Sequence, residues 1–347
     1  MNVFCLPPGS RITNVYLQNI IDEIVKHGFI VDPSFDGYPG FSHILKNRHA
    51  IYHFHWLTYL YYRKNSVTSW LRFLKLFLKV ILIKLSGSRI VWTLHNYKPH
   101  EDTYPILNEL AQNVFAVASD RILCHSIEGR DYLSKQYHRT KGVHILPHPH
   151  FIGSYKNTVS RQEARKKLGL GEDEFVFLSL GTIRPYRNLS MLINTFKQIK
   201  GDNLRLMIVG AAFDTQLIAE LQECARPDSR ISLVLREIPD DDIQFYFNAA
   251  DIGIFTFTNM LNSSSVILSM SFKLPVIMPA YSQALTENND FGFVYYTDRS
   301  PDLLSCMKQS ISANLSKMGQ NAFKTVQSYS WNDYARDLAD IYLSLFK

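Results

Sequence analysis

Along this chain, short unbroken apolar runs alternate with longer stretches in which apolar residues recur every three or four positions. The runs at 2–6, 50–55, 89–94, 121–124 and 142–146 read as strands, and the periodic stretches at 14–27, 69–85, 106–118 and 127–136 read as the helices between them. Unbroken rather than alternating runs are expected where both faces of a sheet are covered, so the strands are predicted to be parallel. A polar stretch at 153–173, holding one short helix at 161–168, interrupts the series. A second series follows, with strands at 175–180, 204–209, 231–235, 252–256, 275–278 and 292–294 and helices at 189–198, 214–224, 240–248 and 264–272. The pattern predicts an α/β protein of two Rossmann-like, doubly wound domains facing across a cleft lined by strand carboxyl ends. The divisions expected are 1–155, 156–328 and an amphipathic closing helix, 329–347, that returns to the first domain.

Length supports that division, since 347 residues with 46% hydrophobic content can bury two medium cores. Charge separates the halves. Residues 1–150 carry 17 Lys and Arg against 10 Asp and Glu, and the remainder 20 against 21. The first half is therefore expected to meet something anionic. Cys5, Cys124, Cys224 and Cys306 show no paired spacing and read as reduced packing residues of a cytoplasmic protein. The first residues lack a positive segment followed by a long apolar core, so no signal peptide is expected. No uncharged apolar stretch of about 18 residues occurs, so no spanning helix is predicted.

One helix comes close to a membrane signal. Residues 70–85, WLRFLKLFLKVILIKL, are apolar apart from Arg72, Lys75, Lys79 and Lys84. At 100° per residue Arg72, Lys75 and Lys79 share one face, with Trp70, Phe73, Leu74, Phe77 and Ile81 largely opposite. That pattern suits a helix lying in a bilayer interface, its cations toward anionic headgroups. An ordinary helix covering a parallel sheet also needs a broad apolar face.

Candidate chemistry concentrates at predicted strand ends. In FVFLSLGTIRPYRNL (175–189) the strand stops at Gly181, Arg184 and Arg187 project from the turn around Tyr186, and a helix opens near Asn188. Two guanidiniums beside helix amides suit a diphosphate. The turn Asn262-Ser263-Ser264-Ser265, at another helix start, offers a second wall of amides and hydroxyls. Gly210 and the 236–239 segment with Glu237 are expected, from position alone, to frame a nucleoside. The Asp240–Asp242 triplet reads as helix-capping carboxylates.

In the first domain His55, Trp56 and Tyr59 follow one strand; His95, Asn96, His100, Glu101 and Asp102 follow the next; His125 follows a third. Imidazoles and carboxylates there can accept a proton from a hydroxyl at neutral pH. Metal binding by His95, His100, Glu101 and Asp102 competes, although the spacing matches no standard zinc pattern. His148 and His150, held apart by Pro149, either cross the cleft or form a rigid hinge.

The segments HFHWLTYLYYR (53–63), WTLHNYKPHED (92–102), PHPHF (147–151), LGTIRPYRNL (180–189) and NSSSVILSMSFKLPVIMP (262–279) resemble, in this order, the GT-B glycosyltransferases, and within them the xanthan-pathway β-mannosyltransferase group. The RPY[KR] and LHN-x-x-PHED segments are the specific ones. The resemblance implies GDP-mannose as donor and a polyprenyl-diphosphate-linked glycan as acceptor at the cytoplasmic membrane face. Arg184 and Arg187 are expected to replace a divalent metal, so neither metal nor other cofactor is predicted. No nucleic acid partner is expected, because the positive charge concentrates on one apolar helix rather than in a patch interleaved with exposed aromatics. The larger retaining group carries two glutamates spaced E-x7-E where this chain has Leu261 and Ser269, which argues for inversion. The base is then expected from Asp102 or Glu101, with His100 and His55 behind them. A retaining GT-B enzyme using a UDP-sugar and a non-catalytic sugar-nucleotide binder stay open.

Overall fold

The computed structural model describes residues 1–6, 14–31, 39–98, 102–258, 260–280 and 290–347. It divides into two compact units: Met1–Pro149 with Ser330–Lys347, and His150–Tyr329.

The first unit is built on a six-stranded parallel sheet in the order β2-β1-β3-β4-β5-β6, where β1 is Asn2–Leu6, β2 Ile30–Val31, β3 Ile51–Phe54, β4 Arg89–Leu94, β5 Arg121–Cys124 and β6 Val143–Ile145. Its helices are α1 (Val15–Lys26), α2 (Phe41–Lys46), α3 (Thr58–Tyr61), α4 (Ser66–Leu85), α5 (Pro105–Ala118) and α6 (Ile127–Tyr137). Every residue of β3 is buried, as unbroken apolar runs require. The chain order reverses between β1 and β3, the position where such sheets bind ligands at the strands' carboxyl ends.

The second unit carries a parallel sheet ordered β12-β11-β10-β7-β8-β9. Its strands are β7 (Phe175–Leu180), β8 (Leu204–Val209), β9 (Ile231–Val234), β10 (Ile252–Ile254), β11 (Val276–Pro279) and β12 (Gly292–Tyr295). Helices α7 (Arg161–Leu168), α8 (Leu189–Phe196), α9 (Thr215–Ala225), α10 (Ile243–Ala249), α11 (Ser264–Ser271), α12 (Leu303–Ser310) and α13 (Leu315–Gln327) pack around it. Here the order reverses between β7 and β10. His150 to Tyr155 lie with this unit: the His150 amide donates to Tyr329 O at 2.9 Å and the Phe151 amide to Ser271 Oγ at 3.0 Å.

The closing helix, α14 (Trp331–Leu343), packs on α1 in the first unit. Its Trp331, Tyr334, Leu338 and Tyr342 join Leu17, Ile20 and Ile24 in one apolar cluster. Asp241 and Asp242 do not cap α10 through their side chains. They pair instead with Lys156 at 2.5 Å and Lys167 at 2.9 Å, partners that the neighbouring α7 region supplies and that local sequence does not reveal.

Candidate functional site

In the second unit the loop after β7 forms a short 3₁₀ turn, Pro185–Arg187, and Asn188 adopts a left-handed conformation (φ 50°) before α8 begins. The two arginines part company here. Arg184 remains half-buried, its guanidinium 5.4 Å from the Phe213 ring centroid. Arg187 does not project. It turns inward until only 4% of its surface is exposed, donating from Nη2 to Ser265 Oγ at 2.8 Å and from Nη1 to Leu180 O at 3.3 Å, with Phe257 beneath it at 5.2 Å.

Glycine makes that turn possible. Gly181 has φ 134°, and a Cβ there would sit 2.1 Å from Arg187 Nη2. Gly210, at the end of β8, has φ 152° and approaches so closely that a Cβ would lie 2.1 Å from Gly181 O. Tyr186 rests near Phe257, and its carbonyl accepts from the Thr258 amide at 3.0 Å. Glu237 is exposed in the loop after β9, the strand next to β8.

No described carboxylate pairs with Arg187, and its Nε has no hydrogen-bond partner. Burial therefore pulls its pKa below the ordinary guanidinium value. The buried Nδ2 of Asn262 is also unpartnered. Ser263 caps α11 by accepting from the Val266 amide, Ser264 is exposed, and Ser265 meets Arg187. A buried cation, a helix start and two orphaned donors thus belong to neighbouring loops. Each of these groups is one that an anion can satisfy.

In the first unit the strand ends gather buried rings. His53 Nδ1 lies 2.6 Å from Tyr342 Oη and its Nε2 2.7 Å from Thr93 Oγ1. His55 Nδ1 lies 3.1 Å from His95 Nε2, and Trp56 stacks on His95 with centroids 4.5 Å apart. Tyr16 Oη reaches His125 Nε2 at 3.2 Å and Tyr334 Oη at 3.0 Å, while His125 Nδ1 lies 2.8 Å from Leu146 O. The His148 ring lies tilted against Tyr16, with centroids 4.9 Å apart. Burial, reinforced by neighbouring imidazoles, lowers His53 and His148 to about 3 and drives His55 and His95 well down; burial lowers His125 to about 4. These rings are neutral at pH 7.

Asp102 is half-buried, its Oδ1 accepting from Asn108 Nδ2 at 2.5 Å, and Tyr61 donates to Asn108 Oδ1 at 2.6 Å. Asn96 is half-buried and Tyr59 is exposed. His150 belongs to the second unit and accepts from the Ile152 amide at 3.2 Å. His100 and Glu101 lie outside the described residues. Cys5, His53 and His55 bring potential metal-ligand atoms within 4.8 Å of one another. Both His53 nitrogens are already hydrogen-bonded, however, so a metal there must displace Tyr342 or Thr93.

Residues 160–307 match the family model described as glycosyl transferases group 1. The chain is 24% identical over 319 residues to GDP-mannose:glycolipid 4-beta-D-mannosyltransferase of Xanthomonas campestris pv. campestris, covering 90% of this chain and 84% of that protein. The structure of Anabaena HepE in complex with UDP and glucose superposes with a TM-score of 0.74 at 15% identity, covering 99% of this chain and all of HepE. Sucrose-phosphate synthase from Thermosynechococcus elongatus superposes at 0.76, with 15% identity and 100% and 99% of the two chains covered.

The chain is a glycosyltransferase of the GT-B fold.

In this glycosyltransferase Leu261 and Ser269 stand where the two glutamates of retaining relatives are expected. Leu261 is buried, and Ser269 Oγ donates to Ser265 O at 2.9 Å, so neither offers an acid. Tyr16, Tyr334, Tyr342, Thr93 and Asn108 escape sequence reasoning, because each looks locally like packing.

The basic helix α4 is also oriented by the fold. Ser69, Leu76, Val80 and Ile83 face inward. Trp70, Leu71, Leu74, Phe77, Leu78, Ile81 and Leu85 are exposed, flanked on one side by Arg72, Lys75 and the partly buried Lys79. Burial, with Lys75 and Arg72 nearby, lowers Lys79 to about 8. On the other flank Lys84 pairs with Asp120 at 2.6 Å. No described helix is long and apolar enough to cross a membrane.

Proposed function

We propose that this glycosyltransferase moves mannose from GDP-mannose to a polyprenyl-diphosphate-linked glycan, with inversion and without a metal, while lying on the inner face of the plasma membrane. The observation that carries the reading is Arg187, a buried guanidinium beside Ser265 that pairs with no carboxylate among the described residues, in a neighbourhood where Asn262 Nδ2 is also unpartnered. A nucleoside diphosphate supplies the missing charge. Mannose and a lipid-linked acceptor rest on the similarity to the Xanthomonas mannosyltransferase.

In the proposed reaction the acceptor hydroxyl gives its proton to the Asp102 carboxylate as its oxygen bonds to the sugar's anomeric carbon. The bond from that carbon to the diphosphate oxygen breaks, and its electron pair leaves with GDP. Arg184, Arg187, the Asn262 amide and the α11 start stabilise the growing negative charge, the task a divalent ion performs elsewhere. Asn108 and Tyr61 fix the orientation of Asp102. His55 is buried with its Nδ1 toward His95, which makes it the weaker candidate base. The exposed apolar sector of α4 and its flanking cations support the membrane surface as partner.

Calorimetric titration with GDP, UDP and GDP-mannose tests the donor, and NMR of the product linkage tests inversion. Tight UDP binding with an α-linked product overturns the proposal in favour of a retaining UDP-sugar enzyme. Binding without turnover leaves only a sugar-nucleotide binder.

A further inference from the structure

Between the last turns of α4 and α5 lies a groove of about 490 Å³, lined by Phe77, Ile81 and Leu85 of α4 and Val114 and Val117 of α5, with only carbon exposed on its walls. It runs into the exposed apolar sector of α4 that begins at Trp70. Val117, 82% exposed, is part of its lining.

Topology separates this groove from the chemistry. Helix α4 ends at Leu85, just before β4 starts at Arg89, and α5 ends at Ala118, just before β5 starts at Arg121. The groove therefore lies toward the amino ends of these strands. His95 and His125 follow their carboxyl ends, and a strand of the length of β4 spans about 20 Å. A chain held in the groove is not the acceptor group being glycosylated.

Charge names the occupant. Between Asp36 and Glu101 the sequence has no carboxylate, while it has ten Lys and Arg, among them Arg72, Lys75 and Lys79 on α4 itself; Lys84, on the same helix, is already paired with Asp120. A second copy docked face to face would set these cations against one another. An anionic bilayer receives them favourably and offers hydrocarbon at the depth of the groove.

We propose that the α4–α5 groove takes one hydrocarbon chain of an anionic membrane phospholipid, anchoring the first unit at the end of its sheet remote from the reacting groups. The inference rests on the membrane-surface reading above and specifies where the lipid enters.

The test uses the full chain, a homologous series of n-alkyl phosphates below their aggregation concentrations, and the variants Val117→Lys and Ala118→Trp. Wild-type affinity is expected to rise about fourfold per added methylene, then level off once the groove is filled. Both variants lose that rise yet still sediment with anionic vesicles to within a few-fold, because their cations are intact. Val117→Lys alters only an exposed side chain, so it keeps the test informative if Ala118→Trp folds poorly. No chain-length dependence in the wild type, or the same dependence in both variants, overturns the groove while leaving membrane binding in place. Failure of the wild type to sediment with anionic vesicles overturns the membrane reading itself. Self-association abolished by Val117→Lys assigns the face to a second copy and also overturns the proposal.

Discussion

Replacing Arg187 by methionine should disable the enzyme without unfolding it. The guanidinium is 4% exposed, donates to Ser265 Oγ and Leu180 O, and is also held by the Tyr186 side chain. Each of these hydrogen bonds contributes about 1 kcal/mol to the unliganded protein. Against them stand the unpartnered Nε, which costs about 1–3 kcal/mol, and the loss of hydration of a charge with no described carboxylate beside it. Methionine fills similar volume over Phe257 with neither penalty. The unit that holds Arg187, His150–Tyr329, should therefore melt in the unliganded variant at, or up to about 5 °C above, its wild-type temperature, since about 1 kcal/mol shifts Tm by about 2–4 °C for a domain of that size. Bound GDP reverses the order. At 100 times its Kd, a ligand stabilises by about 2.7 kcal/mol, an increment the wild type gains and the variant forfeits. Turnover should fall about 10²–10³-fold, the range for removing a donor to developing negative charge. Differential scanning fluorimetry with and without GDP, alongside a turnover assay, reads both effects. A variant that melts several degrees lower without ligand, yet turns over normally, makes Arg187 a packing residue and refutes its role at the leaving diphosphate.

The other expectations concern the glycine, the base and the histidines. Gly181→Ala sets a Cβ 2.1 Å from Arg187 Nη2 at a backbone angle that alanine resists, so donor affinity should drop at least about tenfold and stability by about 1–3 kcal/mol; unchanged GDP titration contradicts this. Asp102→Asn should lower turnover about 10²–10⁴-fold while GDP binding stays as in the wild type, and near-normal turnover removes Asp102 as the base. His53 and His148 at about 3 and His125 at about 4 lie below the unfolded value of about 6.5, so the unfolded chain binds more protons between those limits. Stability is then full above about pH 6.5 and falls with acidity, by about 2 kcal/mol per histidine at pH 5. Urea midpoints that do not change between pH 7 and pH 5 contradict that neutral cluster.

How much of this was legible beforehand depends on the distance over which each feature is decided. The strand Phe175–Leu180 and its glycine are local, because an unbroken apolar run and the residue that ends it are adjacent in sequence. The two-residue β2 and the four-residue α3 are too short to display a period. The tyrosines of the histidine cluster are invisible for the opposite reason. Tyr16 meets Tyr334 across 318 positions and His53 meets Tyr342 across 289, and in their own helices all three tyrosines look like ordinary packing residues.

Helix α4 and the paired arginines mark the boundary between these cases. Helical spacing fixes the angle between the sector holding Leu76 and Val80 and the sector holding Leu74 and Ile81, but both sectors are apolar, so only the sheet decides which one stays exposed. Arg184 and Arg187 are chemically identical in sequence, yet the missing Cβ of Gly181 gives the second a buried path toward Ser265 that the first does not take. A two-arginine motif therefore does not imply two equivalent ligands. One guanidinium is held ready inside the fold at a cost in hydration, and the other keeps solvent contact beside Phe213. Arg184 can consequently be exchanged for lysine with a smaller loss than Arg187, because lysine's flexible point charge reaches an exposed phosphate but cannot reproduce a buried fork bonded to both Ser265 and a backbone carbonyl.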